Sequence, residues 1–266
     1  TDMYALAHYN LGYSYFKEKD YDEALNRFRQ YINLESNQQL AAYADAYNRI
    51  GDCLFHNRQF ALAEEQYSRA AQLQPGAGDY ALYQKGFVMG LQKDYKGKIN
   101  LMDQLIREFP NSSYVDDALF EKGRAYVLLD NNASAARTFE QLVKQYPQSS
   151  LSSKAGIQLG LIYFNEGEMD RAAEAYKAVI GAYPGSDEAK VALQDLKAVY
   201  VEQNNVSAYA AYVNSLGGNI HLEVSEQDSL TYIAAEKLFM RGDNAGAQRS
   251  LESYLQQYPM GAFSTN

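Results

Sequence analysis

The sequence predicts an all-α fold, an array of about seven helical hairpins packed side by side, and three observations carry that prediction. Glycines recur at Gly12, Gly51, Gly86, Gly123 and Gly160, in steps of 39, 35, 37 and 37 residues. An apolar or aromatic residue follows each by three positions, at Tyr15, Leu54, Met89, Tyr126 and Tyr163, about one helical turn further along the same face. Four of the five prolines, Pro110, Pro147, Pro184 and Pro259, close successive periods. One such period holds two helices and two turns, and a hairpin of that size cannot bury both apolar faces without neighbours.

Within each unit the first helix carries the glycine anchor. The second is introduced by the segments around Asp20-Tyr21, Gln59-Phe60, Asp94-Tyr95, Asn131-Asn132 and Met169-Asp170. Small residues sit early in most of these second helices, at Ala24, Ala63, Ala135 and Ala172, where they allow close helix approach. Phe28, Tyr67, Met102, Phe139 and Tyr176 follow and are expected to fill the space beside them, while Lys98 departs from the small-residue pattern. Each unit then ends at Gln74-Pro75, Phe109-Pro110, Tyr146-Pro147, Tyr183-Pro184 or Tyr258-Pro259, where proline stops the helix.

The expected units are 5–38, 44–77, 79–113, 116–150, 153–186, 190–217 and 228–261, in one continuous repeat domain. The sixth is degenerate, with Lys197 at the anchor and no closing proline, and 217–228 reads as an irregular connection. The seventh restores the pattern through Ala235, Leu238, Ala247, Leu251, Tyr254 and Pro259. No polar terminal helix that would solvate either end of the array is evident, so a larger repeat region is expected.

Composition narrows the function classes. With 47% hydrophobic and 21% charged residues in 266, the chain can build a substantial core. Its 33 acidic against 24 basic residues, a net charge of -9, argue against broad nucleic-acid binding. One cysteine and three histidines leave no disulfide framework and no cysteine- or histidine-rich metal site, and no cofactor is expected. No apolar run is long enough to span a membrane, and any leader or lipid anchor would lie outside these residues.

The phased order of tyrosine or leucine, Leu-Gly, tyrosine, alanine, aromatic and proline resembles the tetratricopeptide repeat family. Its best copies run Tyr4 to Glu35, Tyr47 to Pro75, Leu119 to Pro147 and Lys154 to Pro184. The resemblance implies a right-handed superhelical solenoid whose first helices line the inner face. The Tyr-Pro-x-Ser type of turn is also similar to bacterial cell-envelope members, BamD-like lipoproteins and Tol-Pal-associated coordinators. That implies a non-catalytic scaffold or adaptor in the periplasm or at the periplasmic face of the outer membrane, the cytoplasm being the alternative.

Mapped through the anchors, the family's groove positions fall on Tyr9, Tyr13, Phe16, Asn48, Asp52, Phe55, Tyr80, Tyr83, Phe87, Phe120, Arg124 and Phe164, with Ile157, Leu161, Tyr232 and Phe239 at related places. Rings give large contact areas at modest entropy cost, and Asn48, Asp52 and Arg124 can orient a bound peptide, so a protein or peptide partner is expected. The same rings could pack between helices, and Tyr80/Tyr83 or Tyr209/Tyr212 could instead stack on a glycan, the alternative function. Lys17, Arg49, Arg58, Lys85, Lys93, Arg124 and Lys154 are scattered among acids and read as solvated surface, and an acidic groove would favour a partner carrying Lys or Arg. Cys53 and His56 share a helical face, yet Cys53 lies in the repetitive Ile50 to Leu54 segment and reads as packing, so no catalytic residue is expected.

Overall fold

The computed structural model describes residues 3–218 and 220–264. Among them are fourteen α-helices, paired as seven hairpins. The first four pairs are α1 (Met3–Lys17) with α2 (Tyr21–Leu34), α3 (Ala41–His56) with α4 (Phe60–Leu73), α5 (Asp79–Leu91) with α6 (Tyr95–Glu108), and α7 (Val115–Leu128) with α8 (Asn132–Gln145). The rest are α9 (Ser150–Asn165) with α10 (Met169–Ala182), α11 (Asp187–Glu202) with α12 (Val206–Ser215), and α13 (Val224–Met240) with α14 (Asn244–Gln257). Contacts divide the chain into two compact units, Thr1–Leu151 and Ser152–Asn266.

In unit 1 each helix from α1 to α8 packs on the next, and α1 also touches α3, as α5 touches α7. The first helices therefore occupy the tighter side of this stack. In unit 2, α9 meets α10, α10 meets α11, and α11, α12 and α13 touch one another before α13 pairs with α14. The sixth hairpin keeps its place although α12 has only 10 residues, the shortest of the α-helices described. Its Lys197, at the anchor position, reaches Glu226 of α13 at 2.6 Å. Tyr209 is buried there, and the half-buried Tyr212 ring has its centroid 4.9 Å from the Lys177 ammonium.

The glycine anchors have a common physical reason. A Cβ built on Gly51 would stand 2.7 Å from the Tyr67 ring, one on Gly123 2.5 Å from Phe139, and one on Gly160 2.4 Å from Tyr176. Gly12 faces Phe28 and Gly86 faces Met102 in the same way. The large residue of the second helix is thus seated on bare backbone of the first, and Phe28, Tyr67, Met102, Phe139 and Tyr176 are all buried as expected.

The hairpin turns repeat as closely. Lys19, Arg58, Lys93, Asp130, Gly167, Asn204 and Gly242 all have positive φ, between 51° and 82°. The next residue donates its N–H to the carbonyl five residues back, as from Asp94 to Met89 and Asn131 to Tyr126, both at 2.9 Å. It then caps the second helix: side chains of Asp20, Asp94, Asn131, Asn205 and Asp243 accept N–H bonds three residues on. At the other end Gln74, Phe109, Tyr146, Tyr183 and Tyr258, each before a proline, leave the helical region with φ between -125° and -132°.

Substituting Gly123→Ala should lower stability by about 1–3 kcal/mol, because the methyl meets a fully buried ring. Gly181→Ala in α10, with nothing within 4 Å, should instead gain up to about 1 kcal/mol of helix propensity. Thermal unfolding of the two variants checks the opposite signs.

Candidate functional site

The first helices of unit 1 bring most of the sequence-derived positions together. On α3, Asp45, Arg49 and Asp52 recur at helical spacing on one face, and they form the polar centre of the site. Arg49 lies between the two acids, with Nη1 2.6 Å from Asp52 Oδ2 and Nε 3.5 Å from Asp45 Oδ1. From α1, Tyr9 donates its hydroxyl to Asp45 at 2.7 Å, and Tyr13 donates to the same oxygen. From α4 and α5, the hydroxyls of Tyr67 and Tyr80 both donate to Asp52 Oδ1 at 2.7 Å, and the Arg49 guanidinium lies 4.7 Å from the Tyr80 ring centroid. One connected set of hydrogen bonds and ion pairs thus spans the first three hairpins.

Burial sets the electrostatics. It raises the Asp52 carboxyl above its ordinary range, while Arg49 and the two tyrosine hydroxyls act the other way. Burial, and then the bond to Asp45, pushes the Tyr13 phenol up to about 12. Arg49, which the sequence placed with the solvated cations, is in fact mostly enclosed, with the Tyr80 ring of the next hairpin over its guanidinium and acids one turn away on each side.

Beyond this centre the rings continue. Tyr83 stacks on Tyr114, with centroids 5.3 Å apart and planes at 21°, and on Phe87 at 6.4 Å. Tyr80 meets Tyr114 edge-on at 5.8 Å, and Phe87 meets Phe55 of the preceding hairpin at 6.1 Å. Tyr80, Tyr83, Phe87 and Tyr114 are all half-buried. Beside them Lys98, the departure from the small-residue series, is buried and pairs with Glu121 of α7, its ammonium 5.4 Å from the Phe87 centroid. Its stem passes where a side chain at Gly90 would stand, a built Cβ falling 2.7 Å from Lys98 Cδ. Arg124 is exposed and reaches Glu121 at 3.2 Å.

The remaining positions lie apart from that run. Phe16 packs on Tyr21 at 5.4 Å at the hairpin end, and the half-buried Phe120 packs on Phe139 of its own hairpin at 5.8 Å. Asn48 is half-buried on α3. Phe164, Ile157, Leu161, Tyr232 and Phe239 belong to unit 2, where Tyr232 lies under Phe263 at 4.4 Å. Sequence reasoning missed Asp45, Tyr114 and Glu121. The spacing of Asp45, Arg49 and Asp52 was a usable signal, and so was the 31-residue separation common to the Tyr83/Tyr114 and Tyr232/Phe263 stacks.

Cys53 is fully buried, and burial pushes its thiol up to about 12, the opposite of what a nucleophile requires. His56 is exposed and stacked on Tyr21 at 4.0 Å. Among the described residues no group of three His, Cys, Asp or Glu side chains is gathered as a metal site, and no helix is long and apolar enough to cross a membrane.

Two tetratricopeptide repeat family models match the chain, one over residues 9–78 and 120–187 and the other over 80–112. No curated protein matches it. Among solved structures, a tetratricopeptide repeat protein from Parabacteroides merdae is similar with a TM-score of 0.60 at 13% identity, over 95% of this chain and 92% of that one. Pseudomonas aeruginosa pilF gives a TM-score of 0.58 at 16% identity, covering 80% and 90% of the two chains. YrrB, described as a TPR protein with an unusual peptide-binding site, gives 0.52 at 19% identity over 85% and 97%. At these identities the likeness establishes the fold.

Arg49→Met should destabilise the chain by about 3–5 kcal/mol at neutral pH, because it leaves Asp52 buried without its cation. Removing the cation lifts the already raised Asp52 pKa further. The folded state then binds a proton that the unfolded state has released, so the variant's stability falls as pH rises above the ordinary carboxylate range. Denaturant unfolding should therefore show a smaller deficit against the parent chain at mildly acidic than at alkaline pH, with Arg49→Met/Asp52→Asn recovering part of the loss.

Proposed function

As the chain belongs to the tetratricopeptide repeat family, we propose that it is a protein-interaction scaffold that holds an extended segment of a partner against the first-helix side of unit 1. Members of this family are generally non-catalytic scaffolds. The observation that carries the site is the run of half-buried rings Tyr80, Tyr83, Phe87 and Tyr114 beside the Asp45–Arg49–Asp52 cluster. These rings are already held by neighbours, so contact with a partner costs little side-chain entropy. Tyrosine and phenylalanine supply contact area, and the adjoining polar groups give a backbone or side chain a direction.

The setting belongs to the same proposal. The Tyr-Pro-x-Ser turns at Tyr146-Pro147 and Tyr183-Pro184 support a role in a bacterial cell-envelope assembly, on the periplasmic side. They do so through the resemblance to BamD-like and Tol-Pal-associated repeat proteins.

Brief crosslinking of the chain in a native envelope extract, followed by mass spectrometry, tests this reading. A partner captured by the parent chain should fall by about tenfold or more with Tyr83→Ala/Phe87→Ala, a loss typical of a central aromatic anchor. It should be retained by Leu62→Ala, an exposed change on α4. Equal capture by all three, with helicity unchanged, places the contact on another surface.

A further inference from the structure

The aromatic face of unit 1 carries charge that its own cations do not match. Arg49 is taken up by Asp45 and Asp52, and Lys98 and Arg124 both sit on Glu121. Lys122, next along α7, is taken by Asp103 of α6. Asp116 and Asp117 open α7 just beyond Tyr114. The charges acting on Asp117 are those of Asp116 and Glu121, both of its own sign. Tyr83 feels the same acids, Asp117 most strongly, then Glu121 and Asp116. A place in the first turn of a helix favours two acids through the backbone dipole, but it supplies no counter-ion to a carboxylate half-withdrawn from water beside stacked rings.

That combination selects an occupant. An acidic segment would bring further negative charge against two carboxylates that already repel each other. A neutral segment would desolvate them without compensation. A cation is attracted both by the carboxylates and by the faces of the rings. Resting on the reading of this face as the docking surface, we propose that the segment it takes is cationic. A Lys or Arg side chain of the partner lies over Tyr83 and Tyr114 and pairs with Asp117 and Asp116. The net charge of -9 adds a long-range attraction for the same kind of partner.

A random-peptide library displayed on phage tests this, selected in parallel on the intact chain, on Asp116→Asn/Asp117→Asn and on Tyr83→Ala/Phe87→Ala, each first checked for native helicity and thermal unfolding. Peptides enriched on the parent chain should carry Lys and Arg in excess over the starting library. Synthetic copies should lose about tenfold in affinity on the Asn variant, and their binding to the parent chain should weaken as salt rises from about 0.05 to about 0.3 M. Enrichment of neutral or acidic peptides, or basic peptides that bind the Asn variant as tightly as the parent chain, overturns the cationic assignment and leaves the face standing. Peptides bound equally by the Tyr83→Ala/Phe87→Ala variant, or no enrichment at all, overturn the face itself and the assignment with it.

Discussion

A first-helix residue without a side chain, facing a large buried residue of its partner helix, is the contact on which each regular hairpin depends. The Tyr67 ring is fully enclosed only because Gly51 presents backbone to it, and the same holds for Phe139 on Gly123 and Tyr176 on Gly160. This draws the two helices together, and the close pair then offers two faces to its neighbours. Alanines early in the second helix, Ala24, Ala63, Ala135 and Ala172, are fully buried on the complementary side. The turn has to suit so tight a pair, and it does so through one left-handed residue followed by a cap. Five of the seven left-handed positions are not glycine, at a cost of about 1 kcal/mol each. Such positions are held because the packing beyond the turn fixes both helix ends.

What was legible in the sequence is what is local to one hairpin. Gly51 and Tyr67, or Gly123 and Phe139, stand 16 residues apart in a unit that repeats, so their pairing emerges from spacing alone. Lys98 was not legible. Its partner Glu121 lies in the next hairpin, its stem needs the gap at Gly90, and no single-unit pattern joins the three. Arg49 fell between the two cases. Its acids are on its own helix, but its enclosure comes from Tyr80 of the following hairpin. The groove positions were read as a list of first-helix residues, and neighbours then sorted them. Phe120 packs on Phe139 of its own hairpin, whereas Tyr83 stacks on Tyr114 from the connector that follows its hairpin.

The two kinds of interaction in unit 1 answer different problems. Apolar packing between repeats is strong but repetitive, and ridges spaced by a helical turn fit their grooves at more than one offset. Directional bonds do not. Tyr9 and Tyr13 from one hairpin converge on a single oxygen of Asp45, and Tyr67 and Tyr80, from two successive hairpins, converge on a single oxygen of Asp52. A slip of one turn between hairpins would break the Tyr9 and Tyr13 bonds to Asp45, or the Tyr80 bond to Asp52, and leave a half-buried or buried carboxylate short of its donors. The network thus singles out one register from several that hydrophobic contact would accept. Because Tyr80 of α5 bonds to Asp52 of α3, the same register also fixes where the rings of α5 stand relative to the preceding hairpin. The proposed scaffold role would need that placement to be a property of the free chain, and Tyr80 is the side chain that belongs both to the network and to the run of rings.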